Sequence, residues 1–147
     1  MAKEHGDVHF VHQSMYYPVT DADMDTKSYS DFARGYFLTA KAMEWFWDAY
    51  VPDPAQRSEI TASPLKADLD QLAGLSHRGR GRVLRDESEA YAAKLRAAGV
   101  AVTTVRYDGI THDFMMLNPL SNTHATRAAI TQAISVLSAA LGTNEGA

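Results

Sequence analysis

Apolar residues recur along this chain at two spacings, one typical of strands and one typical of helices. Residues 9–17 are rich in β-forming residues, end at Pro18 and are too short for a typical helix. Residues 100–107 alternate in polarity and are rich in β-branched side chains. Both runs therefore predict strands.

The run from residue 40 to residue 50 has helical periodicity, and Thr39 before it is a suitable N-cap. We interpret its apolar face as core packing. The residues of that face are Met43, Phe46, Trp47 and Tyr50.

Two more helices are predicted in the C-terminal half. Asp86 and Glu89 resemble a capping box at the start of a helix over residues 87–98, and Gly99 supplies its stop. One face of this helix carries Tyr91, Leu95 and Ala98. The last helix has an apolar stripe of Ile130, Ala133, Ile134, Leu137 and Leu141.

The order of these elements is typical of an α/β fold. A strand is followed by a long helical excursion and then by helix, strand and helix, so the strands should be parallel, because such crossovers exceed the reach of a hairpin. Prolines interrupt the excursion at Pro52, Pro54 and Pro64. Residues 74–82 contain three glycines and three arginines and predict a flexible loop.

Length and composition limit the possible functions. The chain has 147 residues, enough for one domain, and a formal net charge of -4, which argues against a nucleic-acid partner. It contains no cysteine, so thiolate chemistry is excluded. The first eight residues lack an apolar signal-peptide core, and no segment approaches the roughly 18 apolar residues of a membrane span. We expect a cytoplasmic protein.

Two groups of residues suggest metal ligands but fit poorly. Asp21, Asp23 and Asp25 alternate as in a calcium loop, yet the sixth and twelfth positions are Thr26 and Phe32 rather than Gly and Glu. A solvated loop is the favoured interpretation. Zinc is disfavoured at His5, His9 and His12, because the last two point to opposite faces of a strand. We expect no cofactor.

Catalytic candidates are few. No serine lies in a Gly-x-Ser-x-Gly turn, the usual setting of a nucleophile in α/β hydrolysis. His112 is the best candidate, since it lies in the turn after a predicted strand, where α/β folds place reactive side chains. A short basic run is better explained as a solvated loop than as an RNA contact; it comprises His77, Arg78, Arg80, Arg82 and Arg85.

Several motifs together resemble one known family. They are Tyr-Pro-Val-Thr-Asp at 17–21, Tyr-Phe-Leu-Thr at 36–39, Met-Glu-Trp-Phe-Trp at 43–47, Ala-Ser-Pro-Leu at 62–65, the run 84–92, the run 95–100 and Tyr-Asp-Gly-Ile-Thr-His-Asp-Phe at 107–114. This combination is similar to the C-terminal part of bacterial hormone-sensitive-lipase-like esterases, which have the α/β-hydrolase fold.

The resemblance implies roles for particular positions. His112 falls on the catalytic base, while the position of the family's acid is occupied by Arg82, a cation that cannot orient a histidine. Asp86 and Asp108 are alternative acids that the spacing does not support. The nucleophile turn and the oxyanion loop belong upstream of the matched region.

The resemblance also implies a single partial α/β-hydrolase domain over residues 1–147. Residues 1–73 form a strand and cap-side helices, 74–83 a loop in place of a strand, and 84–147 helix, strand and helix. With that central strand and the N-terminal half of the sheet missing, the retained strands would lie at about twice the usual 4.8 Å spacing. We expect marginal stability and self-association or a partner.

Three functions remain open at this point. The chain is a remnant of an ester hydrolase that is inactive alone, or a subunit completed by a separate N-terminal half that acts on small-molecule esters. The third possibility is a non-catalytic protein-interaction module that uses the sheet edge and the aromatic face around Phe46 and Trp47.

Overall fold

The computed structural model describes residues 10–69, 75–78 and 83–143, and for 75–78 it describes the backbone. Strands and helices alternate along these residues, as the sequence predicts for an α/β fold, with one strand and one short helix that it did not predict. The strands are β1 (Gln13–Tyr16), β2 (Leu75–Arg78) and β3 (Val102–Val105). The α-helices are α1 (Lys27–Asp31), α2 (Ala40–Tyr50), α3 (Arg85–Ala97) and α4 (His124–Ala140), and 3-10 turns cover Pro54–Ser58, Pro64–Lys66 and Asn118–Leu120.

The three strands form one parallel sheet in the order β1-β2-β3. Leu75 is opposite Gln13 on one side and Val102 on the other. The predicted loop at 74–83, and with it the missing central strand, is therefore wrong over Leu75–Arg78. The backbone N–H and C=O groups of β2 pair with a strand on each side. This pairing forms a strand even where the side-chain pattern does not predict one, because strand formation depends strongly on context. Residues 79–82 lie outside the described residues.

Helix α2 begins and ends as predicted. The Thr39 hydroxyl accepts a hydrogen bond from the Ala42 N–H at 3.1 Å, which satisfies one of the free donors of the first turn. Met43 and Trp47 are buried, but Phe46 and Tyr50 are 49% and 70% exposed. The prediction that all four pack in the core is half wrong, because the neighbouring core residues cover only part of the apolar face. Those neighbours are Tyr29, Val83 and Leu84.

Helix α3 is buried along one face, as predicted. Tyr91 and Leu95 pack in a cluster with Leu69 and Val100, and Gly99 ends the helix with a φ of 78°. The predicted cap at Asp86 is wrong. Its carboxylate accepts a hydrogen bond from the Ser28 N–H at 2.7 Å and so ties α1 to α3 instead.

Helix α4 forms as predicted, but most of its apolar stripe is uncovered. Thr126 and Ala129 are buried near its first turns. The exposed part of the stripe consists of Ile130, Ile134, Leu137 and Leu141, which are 40–60% exposed. No helix among the described residues is long and apolar enough to cross a bilayer.

Candidate active site

His112 lies in the turn that follows β3, at the carboxyl end of the sheet. The turn is closed by the Asp113 carbonyl, which accepts hydrogen bonds from the N–H groups of Met116 at 2.7 Å and Leu117 at 3.2 Å. The side chain of His112 is 11% exposed. The fold therefore presents this imidazole where α/β proteins gather reactive groups.

Packing of aromatic side chains holds the turn that carries His112. Phe114 is fully buried, with its ring 5.8 Å from that of Tyr17 and 5.6 Å from that of Tyr107, between centroids. The Tyr107 hydroxyl donates to Oε1 of Gln132 on α4 at 2.7 Å. The turn is thereby fixed both to the end of β1 and to α4.

The two ring nitrogens of His112 have different surroundings. Nε2 is 3.2 Å from Oδ1 of Asp113. Nδ1 is buried and has no hydrogen-bond partner among the described residues. Burial lowers the pKa of His112, although the Asp113 carboxylate opposes that shift. Burial therefore favours the neutral imidazole, which is the state a general base requires.

Asp86, one of the two alternative acids, is held by residues of α1 and α3. Arg82, at the family's acid position, lies outside the described residues. Asp86 accepts from Ser28 N–H and from Nε of Arg85, each at 2.7 Å. Burial alone would raise the pKa of Asp86, but these hydrogen bonds hold it below its usual range.

The candidate metal ligands are used for local structure. Asp21 and Asp23 accept hydrogen bonds from the nearby N–H groups of Ala22 at 2.8 Å and Asp25 at 2.9 Å. Nε2 of His12 lies 3.0 Å from the Ser14 hydroxyl. His5 and His9 lie outside the described residues. Within the described ranges, no three His, Cys, Asp or Glu side chains cluster as a metal site.

Glu87 is a buried carboxylate that the sequence analysis did not single out. It is 3% exposed, and its Oε1 accepts from the N–H groups of Thr20 at 2.6 Å and Asp21 at 3.2 Å. Burial raises the pKa of Glu87 to about 7, against the opposing effect of these hydrogen bonds. Its position in the polar first turn of a helix gave no sign of burial. Glu87 joins α3 to the segment that follows β1.

Comparison with known proteins identifies the family. A family model of the alpha/beta hydrolase fold matches residues 1–116. The chain belongs to this family. Among its relatives, the ethyl acetate hydrolase of Pseudomonas putida is 37% identical over 110 residues, covering 74% of this chain and 35% of that enzyme. The carboxylic ester hydrolase LipN of Mycobacterium tuberculosis is 37% identical over 132 residues, covering 88% of this chain and 35% of LipN.

Solved structures agree with this assignment. A thermostable esterase from Pseudomonas putida ECU1011 superimposes with a TM-score of 0.86 at 50% identity, covering 90% of this chain and 43% of the esterase. The hormone-sensitive-lipase-like resemblance and the partial α/β-hydrolase fold are both confirmed. The chain spans 35% of the length of each of the two curated relatives.

Proposed function

We propose that this chain carries the base histidine, His112, of a serine-type hydrolase of small carboxylic esters. The observation that supports this most directly is the buried Nδ1 of His112, which has no partner among the described residues. In a serine triad this nitrogen donates to an acid, while Nε2 faces the nucleophile. Relatives that are named for ethyl acetate and carboxylic ester hydrolysis support the substrate class.

In the proposed reaction, Nε2 of His112 takes the proton of a serine hydroxyl as that oxygen attacks the ester carbonyl. The imidazolium gives this proton to the departing alcohol and leaves an acyl-serine. Nε2 then takes a proton from water, which attacks the acyl group and releases the carboxylic acid. The proton returns to the serine oxygen, and no cofactor is consumed.

Three components of this cycle have to come from elsewhere: the nucleophile, the oxyanion donors and the acid. No serine of the chain lies in a Gly-x-Ser-x-Gly turn, so the nucleophile and the oxyanion donors would belong to an N-terminal part of the fold. Arg82 stands at the acid position, and a guanidinium has donors but no acceptor for the Nδ1 proton. We therefore propose that residues 1–147 do not turn over esters on their own.

Asp113 must also move in this proposal, because its carboxylate occupies the Nε2 side of the imidazole. The side chain is 32% exposed, which leaves it room to turn into solvent. A serine hydroxyl could then bind at Nε2. The contact between Asp113 and His112 is thus a resting arrangement of the uncompleted site.

A fusion protein tests the proposal. The N-terminal part of the ECU1011 esterase, up to the start of its match, is joined to the full chain carrying Arg82→Asp; we call this the completed fusion. We expect it to hydrolyse p-nitrophenyl butyrate. Reverting to Arg82 should lower kcat by about 10⁴-fold, as loss of the triad acid does. Adding His112→Ala should lower kcat by about 10⁶-fold, as loss of the triad histidine does.

His124→Ala is the matched control, because His124 is exposed at the start of α4. It should leave kcat unchanged. Turnover by the completed fusion that survives His112→Ala would contradict the assigned base. A completed fusion that is folded by circular dichroism but inactive would contradict the claim that this chain completes a hydrolase.

The alternative is a protein-interaction module, favoured by the exposed stripe of α4 and the exposed side chains of Phe46 and Tyr50. It requires self-association or another protein as a partner. Sedimentation of the isolated chain separates the possibilities, since a single monomeric species at micromolar concentration would argue against self-association.

A further inference from the structure

We propose that Tyr17 is a positioning residue for His112: its hydroxyl holds the turn that carries the imidazole, and its ring packs against the imidazole itself. The two residues are 95 positions apart in the sequence, and β1 and the turn after β3 bring them together. This inference rests on the proposed function, since it concerns how the base is held.

Two contacts of Tyr17 act on the same turn. Its ring centroid lies 5.0 Å from that of His112, with the planes inclined at 59°. Its hydroxyl accepts a hydrogen bond from the Met115 N–H at 3.0 Å. The first contact places an aromatic ring against the base, and the second fixes the backbone three residues further on. Together they restrict both the orientation of the ring and the path of the turn.

The backbone at both ends of this contact adopts a conformation that side chains disfavour. Tyr17 has a φ of 51° and Asp113, the neighbour of His112, has a φ of 60°. Left-handed backbone is uncommon for residues other than glycine, although Asn and Asp adopt it more often than the rest. Such outliers cluster at functional sites, where surrounding contacts maintain them. The bulky Tyr17 therefore keeps a costly conformation that aims its side chain under His112.

The hydroxyl of Tyr17 acts as a neutral group. Tyr17 is 6% exposed, and burial raises its pKa to about 12, with a smaller contribution from the Asp113 carboxylate. It therefore cannot exchange protons with His112 near neutral pH. Its effect on the base is geometric and steric, which is why we do not assign it a catalytic role.

Two substitutions separate the contacts. Tyr17→Phe keeps the ring and removes the acceptor of the Met115 N–H, whereas Tyr17→Leu removes both. Tyr16→Phe is the matched control, because it deletes a hydroxyl from the neighbouring residue of β1. Two measurements are made on the isolated chain: amide hydrogen exchange of Met115 and the NMR titration of His112. The His112 signal is assigned by its disappearance in His112→Ala.

We expect Tyr17→Phe to accelerate Met115 exchange by about 10-fold, as loss of one hydrogen bond does, and to leave the His112 titration in place. Tyr17→Leu should also shift the His112 pKa upwards towards its ordinary value, because loss of the aromatic ring admits water to the buried imidazole. In the completed fusion, Tyr17→Leu should lower kcat by about 10- to 100-fold with little change in KM, since the misplaced group is the base.

A purely structural role for Tyr17 gives different results. Exchange would then accelerate equally at core amides such as that of Leu95, and the His112 titration would follow global unfolding. Either result overturns the proposal. Unchanged Met115 exchange in Tyr17→Phe, or an unchanged His112 pKa in Tyr17→Leu, overturns it as well. If the completed fusion is inactive with Tyr17 intact, the proposed function fails, while the exchange and titration results still decide whether Tyr17 positions His112.

Discussion

Helices α3 and α4 each carry an apolar stripe, but the surroundings of the two stripes are very different. On α3, Tyr91 and Leu95 are 6% and 1% exposed. On α4, Ile134 and Leu137 are 60% and 42% exposed. The apolar periodicity of a helix thus predicts that the helix forms, but whether its face is buried depends on what packs against it.

Two neighbouring segments of the chain pack against the apolar face of α3. Leu69 and Val100 pack against its apolar face, and Nζ of Lys94 donates to the carbonyls of Leu65 at 2.8 Å and Ala67 at 2.6 Å. Nothing comparable covers the outer stripe of α4 within the described residues. The two helices therefore contribute to the free energy of unfolding through different means, α3 by burial and α4 mainly by its first turns.

The largest predicted difference concerns one leucine on each helix. Leu95→Ala should lower the free energy of unfolding by about 2–5 kcal/mol, because it leaves a cavity in a buried cluster. Leu137→Ala should cost less than about 1 kcal/mol, because its side chain is already partly in water. Urea denaturation of both variants measures the difference. Equal costs would mean that α4 is buried in solution.

The next prediction concerns pH and the buried Glu87 on α3. Its folded pKa of about 7 lies above the ordinary 4.5. The stabilisation that follows is complete below pH 4.5 and is lost as pH rises through 7, by an amount on the order of 3 kcal/mol. Glu87→Gln should remove this pH dependence from the urea midpoint.

Glu89→Gln is the control for that experiment, since Glu89 is 49% exposed and paired with Arg106. It should retain the pH dependence of the wild-type chain. The lowered pKa of His112 acts in the opposite direction, adding stability that is lost as pH falls below its ordinary 6.5. That contribution cancels when wild type and Glu87→Gln are compared.

A smaller effect should be the same on α2 and α4. Thr39 caps α2 and Thr123 caps α4, each accepting from an N–H of the first turn, at 3.1 Å and 3.3 Å. Replacing either with Ala should cost about 1 kcal/mol, because a cap is a local interaction that needs no cover on the apolar face. Thermal unfolding checks this. A negligible loss at Thr123 alone would indicate that α4 frays.

The smallest change in stability is expected on the exposed stripe itself. Ile134→Lys should alter the free energy of unfolding by no more than about 0.5 kcal/mol, while it reduces any self-association. Tyr91→Lys on the buried face of α3 is the contrasting variant and should prevent folding. Sedimentation velocity at several concentrations measures the first effect. Loss of folding with Ile134→Lys would show that the stripe is internal.

Among the described residues, local sequence patterns were sufficient for three of the four α-helices and for two of the three strands. Thr39 and Gly99 mark helix ends that the structure places where the sequence predicts them. The pattern failed at Leu75–Arg78, because a strand with a neighbour on each side is held by backbone pairing. It failed at Asp86 because the carboxylate that the local spacing predicts as a helix cap accepts a hydrogen bond from Ser28, 58 residues away.

The candidate site was only partly predictable for a similar reason. The turn after a strand pointed to His112, and family resemblance gave it a role. Its contacts with Tyr17 join residues 95 positions apart, and the hydrogen bond from Thr20 to Glu87 spans 67. No periodicity links such distant positions, so these contacts become visible only when the sheet brings its strand ends together.

The central claim is that His112 is the base of a hydrolase of which this chain is one part. The most direct measurement is the pH dependence of kcat/KM for p-nitrophenyl butyrate in the completed fusion, with and without His112→Ala. The account predicts an acidic limb that reports protonation of His112, and loss of both limb and turnover in His112→Ala. An unchanged acidic limb in His112→Ala would contradict it.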